Sequence, residues 1–131
     1  METATLEVRA KQFFDEFVAA FESFNGEKIA ERYTCPYLAF HANGRSEVFL
    51  SSQDIGQYFQ RIVDGYYEKG VRSCSFKNLE VIPVGSESAF ATVTWELHAE
   101  GGAVLSAWRE SYNLSLQGDK CLVFASTDHV V

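Results

Sequence analysis

From Ser88 to Leu116 apolar and polar residues alternate on both sides of Glu100-Gly101-Gly102. Alternation of period two around a glycine pair commits this stretch to a β-hairpin with two different faces. In the first arm Ala89, Ala91, Val93, Trp95, Leu97 and Ala99 share one face, and Phe90, Thr92, Thr94, Glu96 and His98 the other. In the second arm Val104, Trp108, Tyr112, Leu114 and Leu116 line up with two polar residues, Ser106 and Glu110. Folding about the turn sets Trp95 opposite or diagonal to Trp108, so both apolar faces join and Glu110 points inward. A carboxylate among aromatic rings is either paired or used. A one-residue bulge would send it to the outer surface, where it needs no explanation.

The chain has 131 residues and a hydrophobic content of 47%, enough for one domain, 1–131, and not two. Its 11 Phe, 6 Tyr and 2 Trp supply apolar area for a core and for the wall of a pocket. A formal net charge of -7, with no basic run, disfavours nucleic acid and anionic membrane surfaces as partners. The N-terminus, Met-Glu-Thr-Ala-Thr-Leu-Glu, lacks the basic-then-apolar order of a secretory signal. No run approaches the roughly 20 apolar residues that span a bilayer. A soluble, cytoplasmic protein is expected. Cys35, Cys74 and Cys121 are widely spaced and form no CxxC pair, so free, buried thiols are expected rather than disulfides or a structural zinc. Glu96 and His98 would make a two-ligand site at best. With no glycine-rich phosphate loop, nucleophile elbow or carboxylate cluster, the reading carries no metal and no cofactor.

Helices come first and strands later. Leu6, Ala10, Phe13, Phe17, Phe21 and Phe24 recur at intervals of three and four, which predicts a helix from Leu6 to Phe24 ended by Asn25-Gly26. Glu27 to Tyr33 reads as a short second helix stopped before Pro36. Tyr37 to Leu50 reads as a hairpin around Asn43-Gly44, a pair that tolerates positive φ. Ser51, three residues before Asp54, has capping spacing for a third helix, which keeps its period from Ile55 to Tyr66 and stops at Gly70. Four strands follow: Cys74 to Val84, Ser88 to Ala99, Ala103 to Leu116 and Lys120 to Val130. On the last, Asp128 and His129 are neighbours and so face opposite ways if the strand is regular.

This order, with Phe17-Val18-Ala19-Ala20-Phe21, Ile29-Ala30-Glu31-Arg32-Tyr33 and Ser88-Ala89-Phe90-Ala91-Thr92-Val93, resembles the nuclear-transport-factor-2-like superfamily. The Cys35-Pro36-Tyr37 opening and Arg109-Glu110-Ser111-Tyr112-Asn113-Leu114 are similar to SnoaL-like domains of that superfamily. The resemblance implies an α+β, cone-shaped fold, N-terminal helices packed on a strongly curved, mostly antiparallel sheet. It also implies a homodimer through the outer sheet face. Against the ketosteroid isomerases of the superfamily, the oxyanion-donating tyrosine falls on Phe17, which cannot donate. The general-base position falls on His41, and Glu110-x-Tyr112-x-Leu114 stands where the pocket acid sits. His41 and Glu110 are therefore the candidate catalytic pair, with Phe13, Phe17, Tyr33, Tyr37, Trp95, Trp108 and Tyr112 as candidate ligand-binding residues. The bland alternatives stand beside them: Glu110 merely paired, His41 an exposed hairpin residue, the aromatics ordinary core. Two classes of function follow. One is a cofactor-independent isomerase, cyclase or dehydratase acting on a small apolar ligand in the cone. The other is a non-catalytic, dimeric binding or accessory module.

Overall fold

The computed structural model describes residues 3–129. Among them three helices lie on one face of a six-stranded sheet: α1 Thr3–Glu22, α2 Gly26–Ala30, β1 Tyr33–Phe40, β2 Ser46–Phe49, α3 Ser52–Glu68, β3 Val71–Val84, β4 Ser88–Ala99, β5 Val104–Gln117 and β6 Lys120–Asp128. The strand order is β2-β1-β6-β5-β4-β3, antiparallel throughout except for the β1–β6 pair. This is the expected α+β architecture. The last strand's expected end, Val130, lies outside the described residues.

α1 forms because its apolar positions fall on one stripe, and Leu6, Ala10, Phe13, Phe14 and Phe17 are all buried. Phe14 stands edge-on to Trp95 of β4 and Tyr112 of β5, with ring centroids 6.1 and 5.4 Å apart. Complete burial of Phe14 and of Phe17 is worth roughly 2–3 kcal/mol apiece, which ties the helix to the centre of the sheet.

Asn25-Gly26 opens α2 rather than closing α1. Asn25 accepts hydrogen bonds from the backbone N–H of Glu27 and Lys28, at 2.9 and 3.4 Å. Gly26 packs against α3 so closely that a Cβ there would stand 2.1 Å from the Gly56 carbonyl oxygen. α2 also stops earlier than its periodicity predicts, since Tyr33 already pairs with Val123 as the first residue of β1. Tertiary pairing overrides local helical preference at that point. Gly44 at φ +85 makes the expected hairpin turn, and the Ser51 hydroxyl caps α3 by accepting from Asp54 N–H at 3.1 Å.

Bulges set which side chains face the helices. On β3, Asn78 at φ +55 lies between the Lys77–Thr94 and Glu80–Thr92 pairs, so Phe76, Leu79 and Val81 all reach the core. On β5, Leu97 pairs with Ser106 but His98 with Val104, leaving Leu105 as the extra residue. Val104 therefore sits on the outer face with His98, not beside Trp108 as strict alternation requires. On β6, Asn113 pairs with Ala125 and Leu114 with Val123, so Phe124 is extra and the strand changes face there.

Candidate functional site

Trp95 and Trp108 are direct cross-strand partners because of the Leu105 bulge; regular pairing continued from His98 and Val104 would set Trp95 against Ala107 instead. Between this part of the sheet and α3 lies a cavity of about 330 Å³. Its walls include Tyr33 and Tyr37 from β1, Tyr58 and Tyr66 from α3, and Trp108 and Tyr112 from β5. Glu110, Asp128, His41 and Ser126 also face it.

Glu110 is inside, where it accepts a hydrogen bond from Trp108 Nε1 at 2.8 Å. Directly across the strand pair stands Asp128, brought to the inner face by the Phe124 bulge. Without that bulge, Cys121 and Val123 would continue inward as Ala125, Thr127 and His129, and Asp128 would face out. Like charges opposed across a sheet repel, and the apolar walls deny them water. Glu110 is accordingly pushed up to about 8, first by desolvation and then by the Asp128 charge; the Trp108 hydrogen bond pulls the other way. A carboxyl group so placed is an acid at neutral pH and can donate a hydrogen bond.

His41 also borders this cavity rather than standing free in the hairpin, with its side chain 17% exposed. Its Nε2 lies 2.9 Å from Glu47 Oε1 and its Nδ1 3.9 Å from Asp128 Oδ2. Glu47 in turn holds Arg45 at 3.2 Å. Asp128 is thus the link between the two residues that the sequence singled out, a cross-strand partner of one and a neighbour of the other. The next residue, His129, also borders the cavity, but its ring bonds Ser111 on the outer face, Nε2 to Oγ 2.7 Å.

The hydroxyls inside are fixed. Trp95 Nε1 donates to the Tyr112 oxygen at 2.7 Å, and Tyr37 and Ser126 share a hydrogen bond of 2.5 Å. Burial, reinforced by the Glu110 charge, pushes the phenols of Tyr33, Tyr37, Tyr66 and Tyr112 up, and that of Tyr58 to about 12. They remain neutral donors and acceptors.

Of the expected lining residues, Tyr33, Tyr37, Trp95, Trp108 and Tyr112 border the cavity, but Phe13 and Phe17 do not. Both are spent on packing: Phe17 is stacked on Phe21, centroids 5.1 Å apart, and Phe21 takes the place on the wall. Sequence reasoning missed Asp128, Tyr58 and Tyr66. The tyrosines had a signal, since both put a hydroxyl on the apolar face of a helix; Asp128 had none, because a bulge decides its face. The thiols also differ from expectation. Cys35 is exposed, Cys121 is buried, and Cys74 is half-buried on the cavity wall. Burial pushes the last two up to about 11 and 12. On the outer face Glu96 pairs with Lys77 at 3.2 Å and His98 with Ser75 at 2.8 Å.

Helices on one face of a curled sheet, with a cavity between the two, define the NTF2-like, cystatin-like class. Residues 6–130 match the family described as NTF2-like protein (DUF6841), and the chain belongs to that family. No curated protein matches it. Among solved structures it is similar to Aln2 from a Streptomyces species, at 12% identity and TM-score 0.79, covering 99% of this chain and 94% of that one. A protein of unknown function with a cystatin-like fold from Nostoc punctiforme is 12% identical at TM-score 0.76, covering 100% and 96%. A putative calcium/calmodulin dependent protein kinase II association domain from Xanthomonas campestris is 18% identical at TM-score 0.67, covering 93% and 85%. Such identities speak for the fold alone. Among the described residues, no helix is long and apolar enough to cross a membrane.

Proposed function

We propose that the domain binds a small, largely apolar molecule in this cavity and moves a proton on it. The observation that carries this reading is the run Glu110, Asp128, His41 bordering one cavity. Glu110, held as the neutral acid, donates to an oxygen of the ligand. Asp128, with His41 behind it, takes the proton that the reaction releases. This division of labour suits an isomerisation, cyclisation or dehydration, the reactions implied by the likeness to SnoaL-like and ketosteroid-isomerase-like domains. Phe17 supplies no hydroxyl, but Tyr112 and Tyr37 bring theirs from the sheet instead. The three unpaired thiols suit a reducing, cytoplasmic setting.

The test needs no knowledge of the natural substrate. Cyclic ketones incubated with the protein in D2O are followed by NMR for exchange at the carbon next to the carbonyl. The expected result is binding, seen as a thermal shift, together with exchange faster than in buffer and lost in Glu110→Gln. Binding without exchange for every ketone would replace catalysis by the second reading, a binding or association module.

That second reading has its own support on the outer face of the sheet. Val48, Leu38, Ala125, Asn113, Phe90 and Ile82 form one cross-strand row through all six strands, and Val48, Leu38 and Ile82 are exposed. A row of this length, apolar but for Asn113, suits a two-fold homodimer. Sedimentation of Leu38→Glu beside the parent chain tests it, the expected result being a dimer that the substitution splits.

A further inference from the structure

We propose that the ligand of this cavity is a small organic amine, its ammonium group seated against the Glu110 and Asp128 carboxyls and its carbon frame against the surrounding rings. The inference rests on the reading of the cavity as a small-molecule site and gives Glu110 a different part there, counter-ion to the ligand in place of hydrogen-bond donor. Three features of the wall carry it. First, two carboxyl groups face each other across the β5–β6 pair, and among the described residues no lysine or arginine borders the cavity. Trp108 donates to Glu110 at 2.8 Å and His41 stands 3.9 Å from Asp128, but among the described residues no lysine or arginine neutralises the pair, and a ligand bringing its own positive charge does. Second, the walls of the cavity include Tyr33, Tyr58, Tyr66 and Trp108, the ring types that attract a cation through their quadrupoles. Third, the chain as a whole carries a formal net charge of -7, which draws cations and repels carboxylates on approach. A cavity of about 330 Å³ suits a ligand built on one or two rings.

Binding then has a proton balance. Glu110 enters as the neutral acid, and its O–H bond breaks as the ammonium approaches. The carboxylate stays paired with the ligand while the proton leaves to buffer, past Asp128 and His41 at the rim. The titratable groups that share the cavity wall with Glu110 are Asp128 from β6, His41 and His129 at the rim, the phenols of Tyr33 and Tyr37 from β1, those of Tyr58 and Tyr66 from α3, Tyr112 from its own strand and the Cys74 thiol from β3. Glu47 and Arg45 lie beyond His41, and His129 is bonded to Ser111. The phenols and the thiol stay neutral through the range of the experiment, since burial raises all of them.

Three probes of one shape test this by calorimetry: dimethylbenzylamine, its uncharged isostere isobutylbenzene, and the anion phenylacetate. Near pH 8 the amine is expected to bind roughly tenfold or more tightly than the hydrocarbon, with phenylacetate weakest. At about pH 6, where Glu110 holds its proton, amine binding releases up to one proton, read from buffers of different ionisation enthalpy, and the hydrocarbon releases none. The release disappears in Glu110→Gln and persists in His41→Gln; Asp128→Asn, checked for folding by circular dichroism, reduces the preference for the amine. Equal affinities or a preference for phenylacetate overturns the inference while leaving a small-molecule site in place. Failure of all three probes and of the ketones together removes the site itself.

Discussion

The inner face of the β5–β6 pair has two halves built on opposite terms. Below the Phe124 bulge, Leu114 and Leu116 meet Val123 and Cys121, all four buried and all on the face that simple alternation assigns. Above it, Glu110 and Tyr112 meet Asp128 and Ser126 around a void. The lower half is stabilised by removing apolar atoms from water, and the upper half spends part of that gain keeping two carboxyl groups together. One extra residue separates the two regimes, so a strand that packs at one end presents a polar site at the other.

The largest way to probe this contrast is to damage the packed half. Leu114→Ala removes a fully buried side chain opposite Val123 and is expected to cost about 2–5 kcal/mol in urea unfolding. If the cost is under about 1 kcal/mol, the packed half is not the source of stability.

Next in size is the acid group of the open half. Because the folded protein holds the Glu110 proton more tightly than the unfolded chain does, its contribution is complete below the ordinary carboxyl range. It is lost as pH rises from about 4.5 to about 8 and is flat beyond. Glu110→Gln, which keeps a donor facing Asp128, should remove that slope from unfolding free energies measured across this range. A variant with the parent's slope would mean that Glu110 is not the group titrating.

Smaller still are two changes that move Glu110 in opposite directions. Asp128→Asn removes a like charge and lowers the carboxyl titration midpoint seen by NMR; Trp108→Phe removes a stabilising donor and raises it. Shifts of the same sign would show that burial alone sets the value.

Much of this was legible beforehand, where a residue's neighbours along the chain decide its fate. The strand Ser88–Ala99, the inward face of Trp95 and Glu110, the Ser51 cap and the Gly44 turn all follow from period, capping and φ preference. Asn25 was misread as a stop because an N-cap residue and a helix terminator share the same local chemistry, and only contact with α3 through Gly26 tells them apart. Phe13 and Phe17 were misplaced for a related reason: periodicity gives the buried side of a helix but not whether its neighbour across the gap is protein or void.

By itself, then, the amino-acid order determined that a carboxylate would stand on the apolar face of a strand, because alternation is a property of one strand alone. Which groups it would meet there is a property of register between strands. The Phe124 bulge brings Asp128 inward, and the hairpin end carries His41 to the same opening. Neither event leaves a mark in local sequence, since each depends on pairings made across the sheet.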